Sequence, residues 1–267
     1  GPPDINCFFH FFLLFLVTIF TKLDNIRIAN FRFMKNQSMP VKREFLVDGA
    51  SIFRHLTADE LARIPIDQEP DFYKRGTIIY SEGSRINGFY CVQRGIIKIY
   101  KTGFDGKEQI IRFAKKGDIM GFRSTITRER ACTTAKVLED SHILFIHADT
   151  VLEFVKNNGS FALELLQIAC KELGEANDYI TDIAQKTVRE RLAEVLIHLK
   201  KDFDLDNEKY LQITLTREEL ANMVGTATES VIRLLSEFRQ DGLIELQGRK
   251  IKILDEKSLV KIGNMND

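Results

Sequence analysis

Between Phe72 and Ile146 the apolar residues come only in short runs, punctuated by glycine. TIIY (77–80) is followed by Glu82-Gly83, and FYCV (89–92) by Arg94-Gly95. IIKIY (96–100) alternates and gives way to FDGKE, with a turn at Asp105-Gly106. QIIRF (109–113) is closed by KKGD with Gly117, and AKV (135–137) and HILFI (142–146) come later. Runs this short suit strands, and turn signals at roughly ten-residue spacing predict an antiparallel sheet. Such a sheet must hide its edges, and closing it into a jelly-roll-like β-roll does so.

After Asn157-Asn158-Gly159 the period changes. Leu166, Ala169, Leu173, Ala176, Ile180 and Ile183 alternate three and four apart, a seam sustained over about two and a half heptads. A helix leaving a β-roll has little local core to cover, so the seam is read as a parallel dimer contact rather than as packing on its own domain. Its alanines permit close approach. Thr187-x-x-Glu190 has the form of a capping box opening a further helix through Leu199.

The C-terminal stretch holds two more such boxes, Thr216-x-x-Glu219 and Thr226-x-x-Glu229, with Gly225 between them to supply a positive-φ turn. Two short helices joined this way are a helix-turn-helix, the second running from Ala227 to about Asp241 and stopping at Gly242. Its faces separate. Val231, Leu234, Leu235 and Phe238 form a core stripe, while Glu229, Ile232, Arg233 and Ser236 face solvent. Arginine can donate twice to guanine, glutamate can accept from cytosine, and an apolar side chain can meet a thymine methyl. Beyond Gly242, LIELQGRKIKIL predicts a two-stranded wing whose Arg249, Lys250 and Lys252 are placed to contact phosphates. The segment from Lys186 onward carries 14 Lys/Arg against 15 Asp/Glu. Local placement of charge must therefore serve binding, and the acids are expected in the 202–208 loop and the tail, away from Arg217, Arg233, Arg239 and the wing.

On these residues the stretch TREELANMVGTATESVIRLLSEFRQDGLI (216–244) resembles the helix-turn-helix of the CRP/FNR family of bacterial transcription regulators. GFYCVQRGIIKIYKTGFDGKEQIIRFAKKGDIMG (88–121) is similar to that family's cyclic-nucleotide-binding roll, and the heptad helix falls where the family places its dimer helix. The resemblance implies an α+β chain in four parts. These are an extension outside the fold (1–40), a sensor roll (45–158), a dimerisation helix (159–185) and a winged DNA-binding domain (186–267). It implies a homodimer on double-stranded DNA, working with RNA polymerase. Its DNA-contacting candidates are Thr216, Arg217, Thr226, Thr228, Glu229, Ser230, Ile232, Arg233, Arg249 and Lys250. Among these, Glu229 and Arg233 hold the positions that read G·C pairs. The stretch around Ala184–Thr187 is the expected hinge.

The family's cAMP cassette has Gly-Glu for the ribose and Arg-Ser for the cyclic phosphate. Here Gly121 is followed by Phe122, which accepts nothing from a ribose hydroxyl, and Arg130 is followed by Ala131. Losing such buried partners costs about 1–3 kcal/mol, so cAMP is disfavoured. Residues 94–130 nevertheless carry ten Lys/Arg against four Asp/Glu. The effector-pocket candidates are therefore Gly121, Phe122, Arg123, Arg128, Arg130 and Ala131, for a small anion. No cofactor is required, and an effector-independent regulator or a sensor module without DNA activity are the alternatives.

Other classes fit poorly. The 267 residues have zero net charge and four scattered cysteines without a C-x-x-C, as expected of a reducing compartment. Only Cys7 lies near the N-terminus, where an iron–sulfur cluster would need several. His142 and His147 stand five apart on a strand, facing opposite ways, and share no metal. There is no nucleophile–base pair or phosphate loop of an enzyme. The apolar run FFHFFLLFLVTIF (8–20) has thirteen residues, short of the roughly 20 that a span needs. It also lacks the basic flank and cleavage site of a signal peptide. It is expected to be upstream sequence read as protein, with the native start at Met34 or Met39; a membrane tether is the alternative. Since DNA must be met, a cytoplasmic location follows.

Overall fold

The computed structural model describes residues 51–64 and 70–265. The apolar run at 8–20 and the expected extension 1–40 lie outside them. A turn of 3-10 helix (Ser51–His55) and helix α1 (Ala58–Leu61) come first. Strands β1 (Asp71–Tyr73), β2 (Ile78–Tyr80), β3 (Gly88–Thr102), β4 (Glu108–Ala114) and β5 (Ile119–Met120) follow, then helix α2 (Phe122–Thr127) and strand β6 (Thr134–His147). Every pairing is antiparallel. β6 receives β1, β2 and β3, while β3 also receives β4 and β5. Val92, Ile97, Met120, Ala135 and Ile143 fill the interior.

Two pairs of apolar runs that look separate in the sequence are single strands. FYCV and IIKIY both belong to β3, and AKV and HILFI both belong to β6. Gly95, at φ +96, bends β3 rather than ending it, and the register against β6 shifts on both sides of it. A Cβ there would lie 2.1 Å from Ser141 Oγ and 2.7 Å from the Asp140 carbonyl oxygen. A bulge of this kind turns the ladder sharply while the pairing continues.

From β6 the chain passes into helices α3 (Ala148–Asn157) and α4 (Gly159–Gln185). Asn158 caps α4, accepting from the Phe161 N–H, and its amide donates to the His55 carbonyl and to Glu60. At 27 residues, α4 is about 40 Å long. Only Phe161 and Leu165 are buried along it.

Helices α5 (Val188–Asp202), α6 (Arg217–Val224) and α7 (Thr228–Gln240), strands β7 (Ile244–Gln247) and β8 (Lys250–Ile253), and helix α8 (Glu256–Ile262) complete the chain. Thr187 and Glu190 form the reciprocal cap that opens α5. The core of this module contains Leu192, Leu196, Leu220, Val231, Leu235 and Phe238, and it extends into the roll through Leu138, with Ile96 and Phe113 packed against it. Phe113 meets Phe203 edge-on at 5.8 Å, and the Lys115 ammonium donates to the Asp202 carbonyl. Roll and C-terminal module therefore share one apolar core. Among the described residues, no helix is long and apolar enough to cross a membrane.

Candidate nucleic-acid interface and effector pocket

The helix-turn-helix is built by its caps. The Thr216 N–H donates to Glu219 at 2.8 Å, and the Glu219 N–H returns a bond to the Thr216 hydroxyl at 3.1 Å. Two orphan donors of α6 are thus satisfied. The helix ends at Gly225, φ +71. The third expected box does not form. Ala227 is the N-cap of α7, without a side-chain bond. The reason lies in the turn, where the Thr226 N–H is committed to the Ala221 carbonyl at 3.1 Å and so closes the preceding helix. The Glu229 side chain is thus released from capping duty and stands exposed.

The core stripe Val231, Leu234, Leu235 and Phe238 is buried, and Glu229, Ile232, Arg233 and Ser236 are exposed. Ile232 has 51% of its surface in solvent, although nothing in the free chain requires an apolar residue there. Arg233 Nη1 donates to Glu237 Oε1 at 2.6 Å, and Arg189 donates to the other oxygen of Glu237 at 3.1 Å and to Asp241 at 2.9 Å. Thr226, Thr228 and Ser230 line the start of α7, all partly exposed.

In the wing, Arg249 is exposed at the β7–β8 turn. Arg217 donates from Nη2 to the Gly248 carbonyl at 2.8 Å, joining α6 to that turn, while its Nη1 is buried without a partner. Burial lowers the Arg217 pKa, and the nearby Arg249 charge adds to this. The acids are not all kept clear of these cations. Lys250 pairs with Asp206 at 3.1 Å, and Glu237 takes Arg233. The 202–210 loop folds back on the wing, with Asp206 accepting from the Glu208 and Tyr210 N–H groups. Glu237 was missed although its i+4 spacing from Arg233 is legible; Arg189 comes from another helix and leaves no such signal.

The turn is held from three sides. Gln109 of β4 donates to the carbonyls of Asn222 (2.6 Å) and Met223 (3.4 Å). Arg191 of α5 donates to Val224 at 2.9 Å and to the Lys186 carbonyl of the α4–α5 link at 2.7 Å. A Cβ at Gly225 would lie 3.0 Å from Ile183 Cδ1 and 3.2 Å from the Tyr179 hydroxyl, both on α4. Ile183, placed in the dimer seam by its spacing, thus reaches this turn.

The expected effector residues divide. Gly121 is left-handed at the start of α2. Phe122 is buried edge-on to Phe89 at 6.3 Å, and Ala131 is buried in the roll core. Arg123 is spent on Glu129 at 3.0 Å and Arg130 on the Gly83 carbonyl at 2.8 Å; Arg128 is exposed. A different polar group joins the roll to α4. Arg112 donates to the Ile119 carbonyl and pairs with Glu172, both at 3.0 Å. Burial raises the Glu172 pKa, with Arg112 opposing. Burial also pushes the nearby Tyr80 hydroxyl up to about 12. Arg112 had a signal, as the one charge inside QIIRF. No group of His, Cys, Asp and Glu among the described residues could hold a metal.

Residues 70–158 match the family described as cyclic nucleotide-binding domain, and residues 190–262 the Crp-like helix-turn-helix domain. The chain is similar to an anaerobic regulatory protein of Haemophilus influenzae (26% identity, covering 78% of this chain and 80% of that one). It is also similar to a CRP-like cAMP-activated global transcriptional regulator of Mycobacterium tuberculosis (24%, covering 79% and 96%). Its fold is that of FixK2 from Bradyrhizobium japonicum (TM-score 0.67, 22% identity, covering 74% and 98%). With a nucleotide-binding-type roll followed by a Crp-like helix-turn-helix, the chain belongs to the CRP/FNR family of DNA-binding transcriptional regulators.

Proposed function

We propose that the chain acts as a cytoplasmic homodimer that reads a pseudo-palindromic operator and works with RNA polymerase, under the control of a small anionic effector. The exposed Glu229–Ile232–Arg233 face of α7 carries the DNA reading, because it combines solvent-facing charged groups with an apolar side chain that is half exposed in the chain itself. Two such helices on a two-fold axis would enter successive major grooves about 34 Å apart. Dimerisation is supported by Leu166, Leu173 and Ile180, exposed at 58%, 63% and 66% and spaced seven apart on α4. The buried Phe122 speaks against cAMP. The same burial favours a second reading, a regulator that needs no effector.

Footprinting on host genomic fragments tests this. A palindromic footprint is expected with the wild type, and Arg233→Ala should cost roughly 1–3 kcal/mol and relax the sequence preference. An unchanged footprint would remove α7 from the reading role. Protection by purified protein without any addition, insensitive to dialysis, would favour the effector-independent reading.

A further inference from the structure

We propose that the chain carries an anion site, distinct from the cassette around Gly121, in the cleft between the roll and α6, suited to a small diphosphate or phosphorylated metabolite. The cleft has a volume of about 220 Å³ and is lined by Arg75, Lys98, Lys136 and Glu219, among others. Lys98 of β3 and Lys136 of β6 are direct cross-strand partners. Like charges opposite one another on one sheet face are destabilising, so the arrangement needs compensation. Glu108 supplies it for the nearly buried Lys98. Nothing does so for Lys136, which makes no ion pair. Arg75, in the β1–β2 connection, adds a third cation; only its backbone N–H is engaged, by Asp140. The one carboxylate of the lining, Glu219, already accepts from the Thr216 N–H and hydroxyl. Two unpartnered cations thus converge in a half-enclosed space, where an anion gains more than it would on an open surface.

Size narrows the ligand. The cleft holds roughly seven waters at about 30 Å³ each, enough for a diphosphate and below the range of drug-sized pockets. Across it stands Glu219, on the first helix of the helix-turn-helix. A bound anion would face that carboxylate with like charge, so occupancy works against the docking of α6 on the roll.

Titration calorimetry of the full chain with sodium pyrophosphate, at constant ionic strength, tests the site. One pyrophosphate per chain is expected. Arg75→Ala and Lys136→Ala, both at positions outside the core, should each weaken binding at least tenfold. Arg94→Ala, another exposed arginine of the roll, should leave it unchanged. Glu219→Gln keeps a residue that can cap α6 and should tighten binding at least threefold. No heat from the wild type, or equal loss in Arg94→Ala, would overturn the site. Loss in Arg130→Ala with Lys136→Ala intact would place the anion in the cassette and overturn it too. Unaltered binding in Glu219→Gln would overturn the opposition to docking. None of these readouts uses DNA, so the proposal fails or stands independently of the operator reading.

Discussion

Arg233 is the residue proposed to read the operator, and in the free chain it is held by Glu237. The pair is exposed and sits one helical turn apart, a geometry worth about 0.3–0.5 kcal/mol. It must open before the guanidinium can grip a base. Glu237→Gln is therefore expected to tighten operator binding by at most about twofold, measured by fluorescence anisotropy. A loss of affinity would mean that Glu237 aims Arg233 instead of competing for it. Phe122 presents the opposite case. It follows Gly121, where the resemblance implies an acceptor for a ribose hydroxyl, and it is buried against Phe89. Phe122→Ala should cost about 3–5 kcal/mol in chemical unfolding. Adding cAMP should restore none of that loss.

At the scale of elements, what is local is legible and what is remote is not. The cap of α5, the cap of α6 and the buried stripe of α7 each follow from residues within a few positions of one another. The failed cap at Thr226 shows the limit. A threonine and a glutamate three apart satisfy the pattern, yet the N–H that fixes the geometry was already committed to the helix behind it. Gly95 misleads in the same way, since a bulge and a turn both want positive φ and only the pairing partner tells them apart. The contact of β4 with α4 through Arg112 and Glu172 is remote, 60 positions apart in the chain. It makes a pH prediction. The folded state holds the Glu172 proton above the ordinary value of 4.5, where the unfolded chain has released it. Folding stability should therefore decline as pH rises from about that value through the raised one. Glu172→Gln should flatten that decline in urea titrations, and an unaltered slope would assign it to another group.

For the whole molecule, the sequence suffices for the order of parts but not for how they touch. The strand and heptad periods announce a roll followed by a long helix, and the caps announce the DNA-binding module. Nothing in those periods indicates that Phe113, Leu138 and Phe203 fuse the two modules through one core, because each residue reads locally as part of its own element. The effector cassette shows a related limit. That Phe122 and Ala131 depart from its motif is legible, but their burial depends on Phe89 and other distant neighbours. Assembly gives the corresponding prediction. Leu173 is 63% exposed in the single chain, so Leu173→Asp should leave the fold intact and yield a monomer by sedimentation, with binding to a palindrome reduced to that of a half-site. A dimer that persists would place the contact elsewhere.

The turn at Gly225 has an evolutionary consequence. Gln109, Tyr179, Ile183 and Arg191 come from three separate elements, yet each meets the same three or four backbone units. A larger residue at 225 would demand a smaller one at 183, and a shifted turn would strand the amide of 109 and the guanidinium of 191 together. When relatives of this chain are aligned, these five positions should drift as a group, changing in step across lineages while their immediate sequence neighbours vary independently. An alignment in which they vary singly would mean that the clasp is an accident of this one sequence.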